Sequence, residues 1–445
     1  PFPWLSLLLA LPLAGALGCL AHRRHPAECR AIALACAAAV FALSAWLFAT
    51  KGSGAGWLLT EDYAWIPRFG IRWTLGLDGL SLLMVLLTAF LVLLSLLVSW
   101  PERKHVPLHY ALLLVMETGI LGVFLALDLV LFYLFWELML IPMFFLIGVW
   151  GHGRRLYAAV KFFLFTLAGS LLMLLAILGL YLQHAEQTGV ATFALDALRQ
   201  TQLSPSLELW MYAAFLSAFA VKVPLVPVHT WLPDAHTEAP TAGSVILAGL
   251  LLKTGVYGLI RFAFPLFPQA ALASLPFLAG LALAGIFYAA WIAYVQEDAK
   301  RLVAYSSVAH LGFVVLGLAA WNATAAAGSL LQMVNHGVTT GALFAMVGMI
   351  DARAGTRRLD GLGGLWARAP MLSAFFLFFA LASLGLPGLN NFAGEILILL
   401  GTFRAHPLWG ALAMGGVVFA AAYTLRLVQE TLWGEPKGSE PWADL

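Results

Sequence analysis

The sequence predicts an all-α integral membrane protein with about 13–14 transmembrane helices. The first observation is composition, because 62% of the 445 residues are hydrophobic and only 10% are charged, whereas a soluble domain carries about 25% charged residues. The second is length, since a helix needs about 20 apolar residues to cross a bilayer and the chain contains thirteen such runs. The third is their continuity, because a transmembrane β-barrel would show short alternating segments.

The candidate spans follow one another with short polar breaks, of which 50–73 and 184–206 are the longest. No basic segment precedes the first span, so we interpret it as a membrane helix and not as a cleaved signal. In chain order, the candidate spans are 4–21, 31–49, 77–100, 108–127, 129–150, 158–183, 207–232, 242–264, 271–295, 301–320, 325–350, 370–402 and 407–433.

The loops on the two sides of the membrane differ in positive charge. One side, which includes loops 22–30, 101–107 and 351–369, carries thirteen Lys and Arg residues, and the other side carries six. Because positively charged loops remain in the cytoplasm, we expect the N-terminus outside and the segment after residue 433 inside.

The sequence contains no motif for a resident cofactor. It has no glycine-rich nucleotide loop, no CxxC pair and no haem attachment motif. The three cysteines, Cys19, Cys29 and Cys36, have neither the number nor the spacing of a metal site or a disulfide framework. The net charge is +2, and no basic run suggests nucleic acid binding. We therefore expect no cofactor and no metal on this chain, so any chemical energy would come from a partner.

Two spans contain helix-breaking residues. Pro224 and Pro227 interrupt the seventh span, and Leu386-Pro387-Gly388 interrupts the twelfth. Paired interruptions are typical of inverted-repeat transporters, whose sites lie at the breaks. Spans 4–8 and 9–13 are therefore predicted to form two inverted five-helix repeats. The predicted organisation is 1–107 for helices 1–3, 108–264 for the first repeat, 271–433 for the second repeat and 434–445 for a polar tail.

Several titratable side chains lie inside the apolar spans. A charge at the bilayer centre costs about 3 kcal/mol or more, so such residues are functional by default. Lys222 and Lys253 each lie about 15 residues, or about 22 Å, from the turn between spans 7 and 8. His310 and His336 each lie about 13 residues, or about 20 Å, from the turn between spans 10 and 11. Glu395 differs, because it lies only about 10 Å from the outer end of span 12. We expect these groups to form a band near the midplane that leans outward at Glu395.

These residue types suit proton transfer. Burial can drive the proton off lysine, whereas arginine keeps its charge, and histidine carries protons in both directions near neutral pH. Glu137 is the expected partner of Lys222, with a purely structural ion pair as the alternative. Glu117 in span 4 is a further buried acid. His229 and His236 are accessory candidates, although their spacing does not fit a metal site.

Three long segments carry a family resemblance: FWELMLIPMFFLIGVWG (135–151), AFAVKVPLVPVHTWLPDAHTEAPTAGSVILAGLLLKTGVYGLIRF (218–262) and QEDAKRLVAYSSVAHLGFV (296–314). They resemble the antiporter-like membrane subunits of respiratory complex I, the proton-pumping NADH:quinone oxidoreductase. Cation/proton antiporters and membrane-bound hydrogenases share such segments. GLNNFAGEILIL (388–399) resembles the M-type (chain 4) branch, because Glu395 stands where the L and N branches have lysine.

The resemblance implies a role for each buried group. In the first half, Glu137 would be the switch acid, Lys222 the central proton carrier and Lys253 its supply from the cytoplasmic side. In the second half, the two midplane histidines would bridge the halves, and Glu395 would pass the proton outward.

The resemblance also implies partners. The chain would be a proton-translocating subunit of complex I in a bacterial plasma (inner) membrane, surrounded by lipid. NAD, FMN, iron–sulfur clusters and quinone would be bound by partner subunits, and the neighbours would include the L-type and N-type paralogues. The family usually has fourteen core helices, whereas this sequence contains thirteen spans, so the last helix is expected either to be absent or to lie beyond residue 445. The alternatives are a subunit of a cation/proton antiporter or membrane-bound hydrogenase, and a structural spacer that carries no proton.

Overall fold

The computed structural model describes residues 2–52, 54, 56–437 and 444. Within this part of the chain most residues are helical, and eleven helices are long and apolar enough to cross a membrane. Predicted spans 7 and 12 are not among the eleven, because each is interrupted. The predicted all-α membrane class is confirmed. Most of the predicted polar tail lies outside the described residues.

The described elements follow the predicted spans, with boundaries that differ mostly by a few residues. Up to the first break they are α1 (Trp4–Ala21), α2 (Pro26–Lys51), β1 (Leu59–Ile66), β2 (Ile71–Leu77), α3 (Gly79–Val98), α4 (Val106–Leu125), α5 (Leu129–Leu138), α6 (Leu140–Trp150), α7 (Arg155–Thr188), α8 (Leu195–Leu198) and α9 (Pro205–Lys222). After it come α10 (Trp231–Glu238), α11 (Thr241–Ile246), α12 (Leu252–Gly258), α13 (Phe264–Leu266), α14 (Pro268–Val295), α15 (Ala299–Ala319), α16 (Ala323–Ala354), α17 (Leu365–Arg368), α18 (Pro370–Leu384), α19 (Asn390–Ala405) and α20 (Pro407–Leu432).

Contacts divide the chain into two compact units, which are described separately. The first unit contains the described residues up to 222 together with 238–246 and 250–273. The second contains 223–237, 247–249 and the described residues from 274 onward. The region predicted as helices 1–3 thus falls in the same unit as most of the predicted first repeat. The inverted relation between the repeats stays a prediction.

A β-hairpin occupies the long break after α2, and the sequence did not predict it. β1 and β2 pair antiparallel, and Gly70 closes the connection with a left-handed φ of 68°. Glu61 on β1 accepts hydrogen bonds from the backbone N–H groups of Leu5 (2.6 Å) and Ser6 (3.1 Å) at the start of α1. Trp73 Nε1 on β2 donates to Ser6 Oγ over 2.9 Å. The segment resembled a polar break because charged and aromatic residues are mixed on its exposed strands.

Aspartates start two of the first-unit helices. Asp78 accepts from the N–H of Ser81 over 2.9 Å and caps α3. Asp128 accepts from the N–H groups of Val130 (3.0 Å) and Leu131 (3.1 Å) and caps α5. Such caps satisfy donors that a helix start leaves without a partner. Burial raises the pKa of Asp128, and the backbone donors of the cap oppose that shift.

The first break separates α9 from α10. Helix α9 ends at Lys222, and residues 223–230, which include Pro224 and Pro227, are not helical. Proline removes a backbone donor and clashes with the preceding turn, which accounts for the interruption. The sequence estimate of the depth of Lys222 assumed a continuous helix at 1.5 Å per residue. That assumption is wrong for this segment, because non-helical backbone has a different rise.

The helix that carries Lys253 is irregular on both sides of α12. π-helical segments at Leu247–Leu251 and Leu259–Ala263 flank it, and π-bulges occur frequently at functional sites. A Cβ added at Gly258 would lie 2.3 Å from the Phe219 ring on α9. The glycine therefore allows α12 to pack closely against α9.

Candidate functional site

A buried imidazole and a buried carboxylate are in contact in the second unit. His310 Nδ1 on α15 lies 3.3 Å from Glu395 Oε1 on α19, and the two side chains are 1% and 8% exposed. The atoms are close enough for an ion pair, although Nδ1 lacks the alignment of a hydrogen bond. Such a pair can hold a proton on either partner, which is the basic requirement of a proton relay.

Three polar side chains from other helices contact this pair. Gln332 Nε2 on α16 donates to Glu395 Oε1 over 3.2 Å. Ser383 Oγ on α18 lies 3.4 Å from His310 Nε2, and Tyr423 OH on α20 lies 3.2 Å from the same nitrogen. Five helices therefore fix the orientation of the imidazole and the carboxylate.

His336 lies beside the pair and is fully buried. The ring centres of His310 and His336 are 5.7 Å apart, so the two side chains are neighbours. The Glu395 carboxylate reaches His310 directly. Helix α19 continues to Ala405, three residues beyond the predicted end, and the outward offset of Glu395 stays a prediction.

The second break brings polar residues and a glycine against the site. Asn335 Nδ2 donates to the Asn390 carbonyl over 2.7 Å, and Asn390 Nδ2 donates to Thr339 Oγ1 over 3.0 Å. Gly385, directly after α18, has a left-handed φ of 81°. A Cβ at this position would lie 2.3 Å from Glu395 Oε2, so a larger residue would force the carboxylate to shift.

In the first unit, Lys222 is only 1% exposed. Its Nζ has no hydrogen-bond partner among the described residues and lies 5.3 Å from the ring centre of Trp136 and 5.6 Å from that of Phe162. Glu137 acts on Lys222 electrostatically and lies one turn after Tyr133 on α5. Within the described part of the chain no direct ion pair joins Glu137 to Lys222, and the role of Glu137 as the partner of Lys222 stays a prediction. Two aromatic rings border the ammonium group.

Lys253 is fully buried on the short α12 segment between the two π-helical turns. Two turns further on, Arg261 donates to Asp78 Oδ2 over 2.6 Å and to Tyr257 OH over 3.0 Å. The Tyr257 hydroxyl in turn donates to the Phe124 carbonyl over 2.9 Å. The Arg261 side chain is only 13% exposed and anchors this helix to the start of α3, and Tyr257 anchors it to α4.

The accessory residues have different surroundings. Glu117 is fully buried in the middle of α4, and neither of its carboxylate oxygens has a hydrogen-bond partner among the described residues. In the second unit, the His229 ring lies 5.4 Å from that of Tyr288, and His236 stacks on Phe344 with ring centres 4.5 Å apart. In the described ranges no group of three His, Cys, Asp or Glu side chains is arranged to hold a metal ion.

Sequence reasoning missed three residues of the second-unit site. Gln332 lies one turn before His336 on α16, and this spacing could have identified it as a neighbour on the same helix face. Ser383 and Tyr423 carried no comparable signal, because single hydroxyl groups are common in apolar spans and their contacts with His310 come from tertiary packing.

Comparisons with known proteins give one consistent family. A family model described as NADH:quinone oxidoreductase/Mrp antiporter, transmembrane, matches residues 126–420. NADH-quinone oxidoreductase subunit M of Pseudomonas aeruginosa is 48% identical over 99% of this chain and 89% of its own length. A chain of respiratory complex I from Thermus thermophilus with bound NADH matches with a TM-score of 0.90 and 36% identity, over 99% of this chain and 91% of that one. A chain of the Mrp complex from Dietzia matches with a TM-score of 0.83 and 26% identity, over 96% and 47%.

Proposed function

Because the chain belongs to the NADH:quinone oxidoreductase/Mrp antiporter family of membrane subunits, on the branch of subunit M, we propose that the buried groups of its two units carry protons across the membrane. The protein is a multi-pass subunit of a bacterial inner-membrane NADH-quinone oxidoreductase. The specific proposal concerns which side chains hold the proton and how they exchange it.

The contact between His310 and Glu395 is the observation that carries this proposal. A titratable base and a titratable acid lie 3.3 Å apart with little exposure, and a purely structural role would not require two groups that can both bind a proton. The proton leaves an imidazolium nitrogen and binds a carboxylate oxygen, and the return transfer restores the first state. Tyr423 and Ser383 hold the other ring nitrogen and so fix the face that the imidazole presents to Glu395.

In the first unit, Lys222 is the proposed proton carrier and Glu137 its electrostatic control. Glu137 acts on the ammonium group from beyond ion-pair distance, so a change in its charge or position alters how strongly the proton is held. When that support weakens, the ammonium group gives up its proton and remains as a neutral amine among aromatic rings. This arrangement avoids the strong ion pair that would trap the lysine in its charged form.

Lys253 and His336 complete the proposed set, each within its own unit. Lys253 supplies protons to the first unit from the cytoplasmic side. Because its side chain is fully buried, a partner or solvent must stabilise the ammonium group when the amine binds a proton. His336 exchanges protons with His310, whose ring centre lies 5.7 Å away. The fully buried rings exclude competing bulk water at this point.

In this proposal the energy for proton transfer comes from other subunits of the enzyme. NAD, FMN, iron–sulfur clusters and quinone are assigned to partner subunits, and the L-type and N-type paralogues are the proposed membrane neighbours. A charge change in a neighbouring subunit would act on Glu137 and begin the transfer.

The proposal is tested in the whole enzyme reconstituted into liposomes. Lys222→Ala and Glu137→Ala should strongly reduce proton pumping per NADH oxidised while the subunit remains assembled, and Lys51→Ala, an exposed lysine at the end of α2, is the matched control. Normal pumping in Lys222→Ala, Glu137→Ala and Lys253→Ala would contradict the proposal and would favour the structural spacer.

The likeness to the Mrp complex from Dietzia supports a second candidate, a cation/proton antiporter without redox coupling. Purification of the native assembly separates the two. Flavin and iron–sulfur proteins that copurify with the chain favour the oxidoreductase, whereas their absence together with Na⁺-dependent proton release favours the antiporter.

A further inference from the structure

Glu117 is a buried acid that the proposed mechanism does not use. It lies in the middle of α4, is fully buried, and has no hydrogen bond or ion pair to either carboxylate oxygen within the described ranges. An isolated carboxylate in an apolar interior is so costly that the group normally becomes neutral by binding a proton. The position therefore suits a carboxylic acid that holds a proton.

The helices around Glu117 are tightly packed. A Cβ at Gly15 on α1 would lie 2.9 Å from both Cys36 Cβ on α2 and Leu114 Cδ1 on α4. The Cys36 thiol is close enough to the Glu117 carboxyl group for the two to interact electrostatically. A thiol supplies no positive charge that could balance a carboxylate at this place.

A second buried titratable group lies on the same helix, nearer the loop between α3 and α4. His109 lies eight residues before Glu117, or about 12 Å along the helix, and is almost fully buried. Its Nε2 lies 3.0 Å from Ser99 Oγ at the end of α3, and its Nδ1 has no hydrogen-bond partner in the described ranges. Ser95, one turn before Ser99, is fully buried, and its hydroxyl donates to the Leu91 carbonyl over 2.8 Å.

Residues of α6, of the loop between α3 and α4 and of α2 surround the loop end of α4. The Trp150 ring lies 5.0 Å from the His109 ring at a steep angle. Glu102 in the loop acts electrostatically on His109, and Arg30 Nη2 on α2 donates to the Glu102 carbonyl over 2.6 Å. A titratable imidazole is thus positioned between a charged loop and a buried acid.

We propose that Glu117 is a proton-binding site of the first unit, separate from Lys222 and Lys253, and that His109 exchanges its proton with the loop side of α3 and α4. The imidazolium of His109 releases a proton, which reaches a Glu117 oxygen through bridging hydroxyl groups such as that of Ser95. The acid becomes neutral, the imidazole becomes neutral, and no electron is transferred. This site does not depend on whether Lys222 pumps protons.

The test is infrared spectroscopy of the purified enzyme during exchange from H₂O into D₂O. The parent enzyme should show a protonated-carboxyl C=O band that shifts in D₂O, and Glu117→Gln should remove that band while enzyme assembly and NADH oxidation persist. His109→Phe should keep the band but slow its deuterium shift at least several-fold. The exposed pair His22 and Glu28, whose side chains lie 3.9 Å apart, provides the controls His22→Gln and Glu28→Gln, which should change neither signal.

Two results would overturn the inference. An unchanged protonated-carboxyl band in Glu117→Gln means that Glu117 is not the protonated acid, and an unchanged exchange rate in His109→Phe means that His109 is not its route. Loss of pumping in Lys222→Ala is a separate observation, so failure of this inference and failure of the proposed function remain distinguishable.

Discussion

Replacement of Glu395 by glutamine removes one charge from the second-unit site with little change in shape. Glu395 Oε1 lies 3.3 Å from His310 Nδ1, and two unit charges at that distance attract each other by about 5 kcal/mol at an effective dielectric constant of about 20. If the protonated state of His310 loses that stabilisation, transfer through it slows by roughly 10³–10⁴-fold, since about 1.4 kcal/mol corresponds to tenfold. Glu395→Gln should therefore abolish the share of pumping that passes through this chain.

The measurement is proton uptake into the lumen per NADH oxidised, with the reconstituted enzyme and a pH-sensitive dye. Glu430→Gln is the matched control, because Glu430 is a half-exposed carboxylate of the same unit that pairs with Arg426 over 2.8 Å. A double-mutant cycle with His310→Gln isolates the coupling between the two residues. Strictly additive effects in that cycle, or a normal pumping ratio in Glu395→Gln, would refute this reasoning.

Gly385→Ala should lower pumping with NADH oxidation retained, because a non-glycine residue at φ 81° costs about 1–2 kcal/mol and the new Cβ would lie 2.3 Å from Glu395 Oε2. A pumping ratio equal to that of the parent enzyme would show that the carboxylate can relocate. Trp136→Leu should lower the melting temperature of the detergent-solubilised enzyme relative to Trp136→Phe. It removes an aromatic ring whose centre lies 5.3 Å from the Lys222 ammonium group, and this cation–π contact contributes about 0.5–2 kcal/mol. Equal melting temperatures of the two variants would speak against this contact. Arg72 on β2 lowers the pKa of Asp62 on β1. The pair therefore stabilises the hairpin fully above the unfolded-state pKa of Asp62, and this stabilisation is lost as pH falls through the lower folded-state pKa. Amide hydrogen exchange of the hairpin should therefore speed up on acidification in the parent more than in Asp62→Asn, by an amount that corresponds to less than about 1 kcal/mol because the group is exposed.

The membrane helices were predictable because the bilayer imposes length and apolar composition on each of them. The two breaks were predictable for the same kind of reason, since Pro224 and Pro387 cannot continue a regular helix. The β-hairpin was not, because a two-stranded exposed sheet has no apolar face long enough to distinguish it from a loop. The pairing of Arg261 with Asp78 was not predictable either, because the two residues are remote in sequence and only packing brings them together.

In the candidate site, positions along one helix were predictable from the sequence and contacts between separate helices were not. Counting residues from their shared turn matched His310 with His336, and the two rings lie 5.7 Å apart because both helices are continuous over that distance. For Glu395 the predicted helix end was three residues too early, because composition alone does not locate the end of an apolar helix. Contacts such as that of Tyr423 with His310 depend on how separate helices meet, and periodicity within one helix contains no information about that.

The hydrogen bonds from the start of α1 to Glu61 impose an order on biosynthesis. The N–H of Leu5 emerges from the ribosome early, but its acceptor is 56 residues further along the chain. Helices α1 and α2 are therefore synthesised before this end of α1 can be fixed, and α1 lacks these two hydrogen bonds until β1 has followed. A truncation or glycosylation tag placed in the hairpin would consequently disturb the seating of a helix that was inserted long before it.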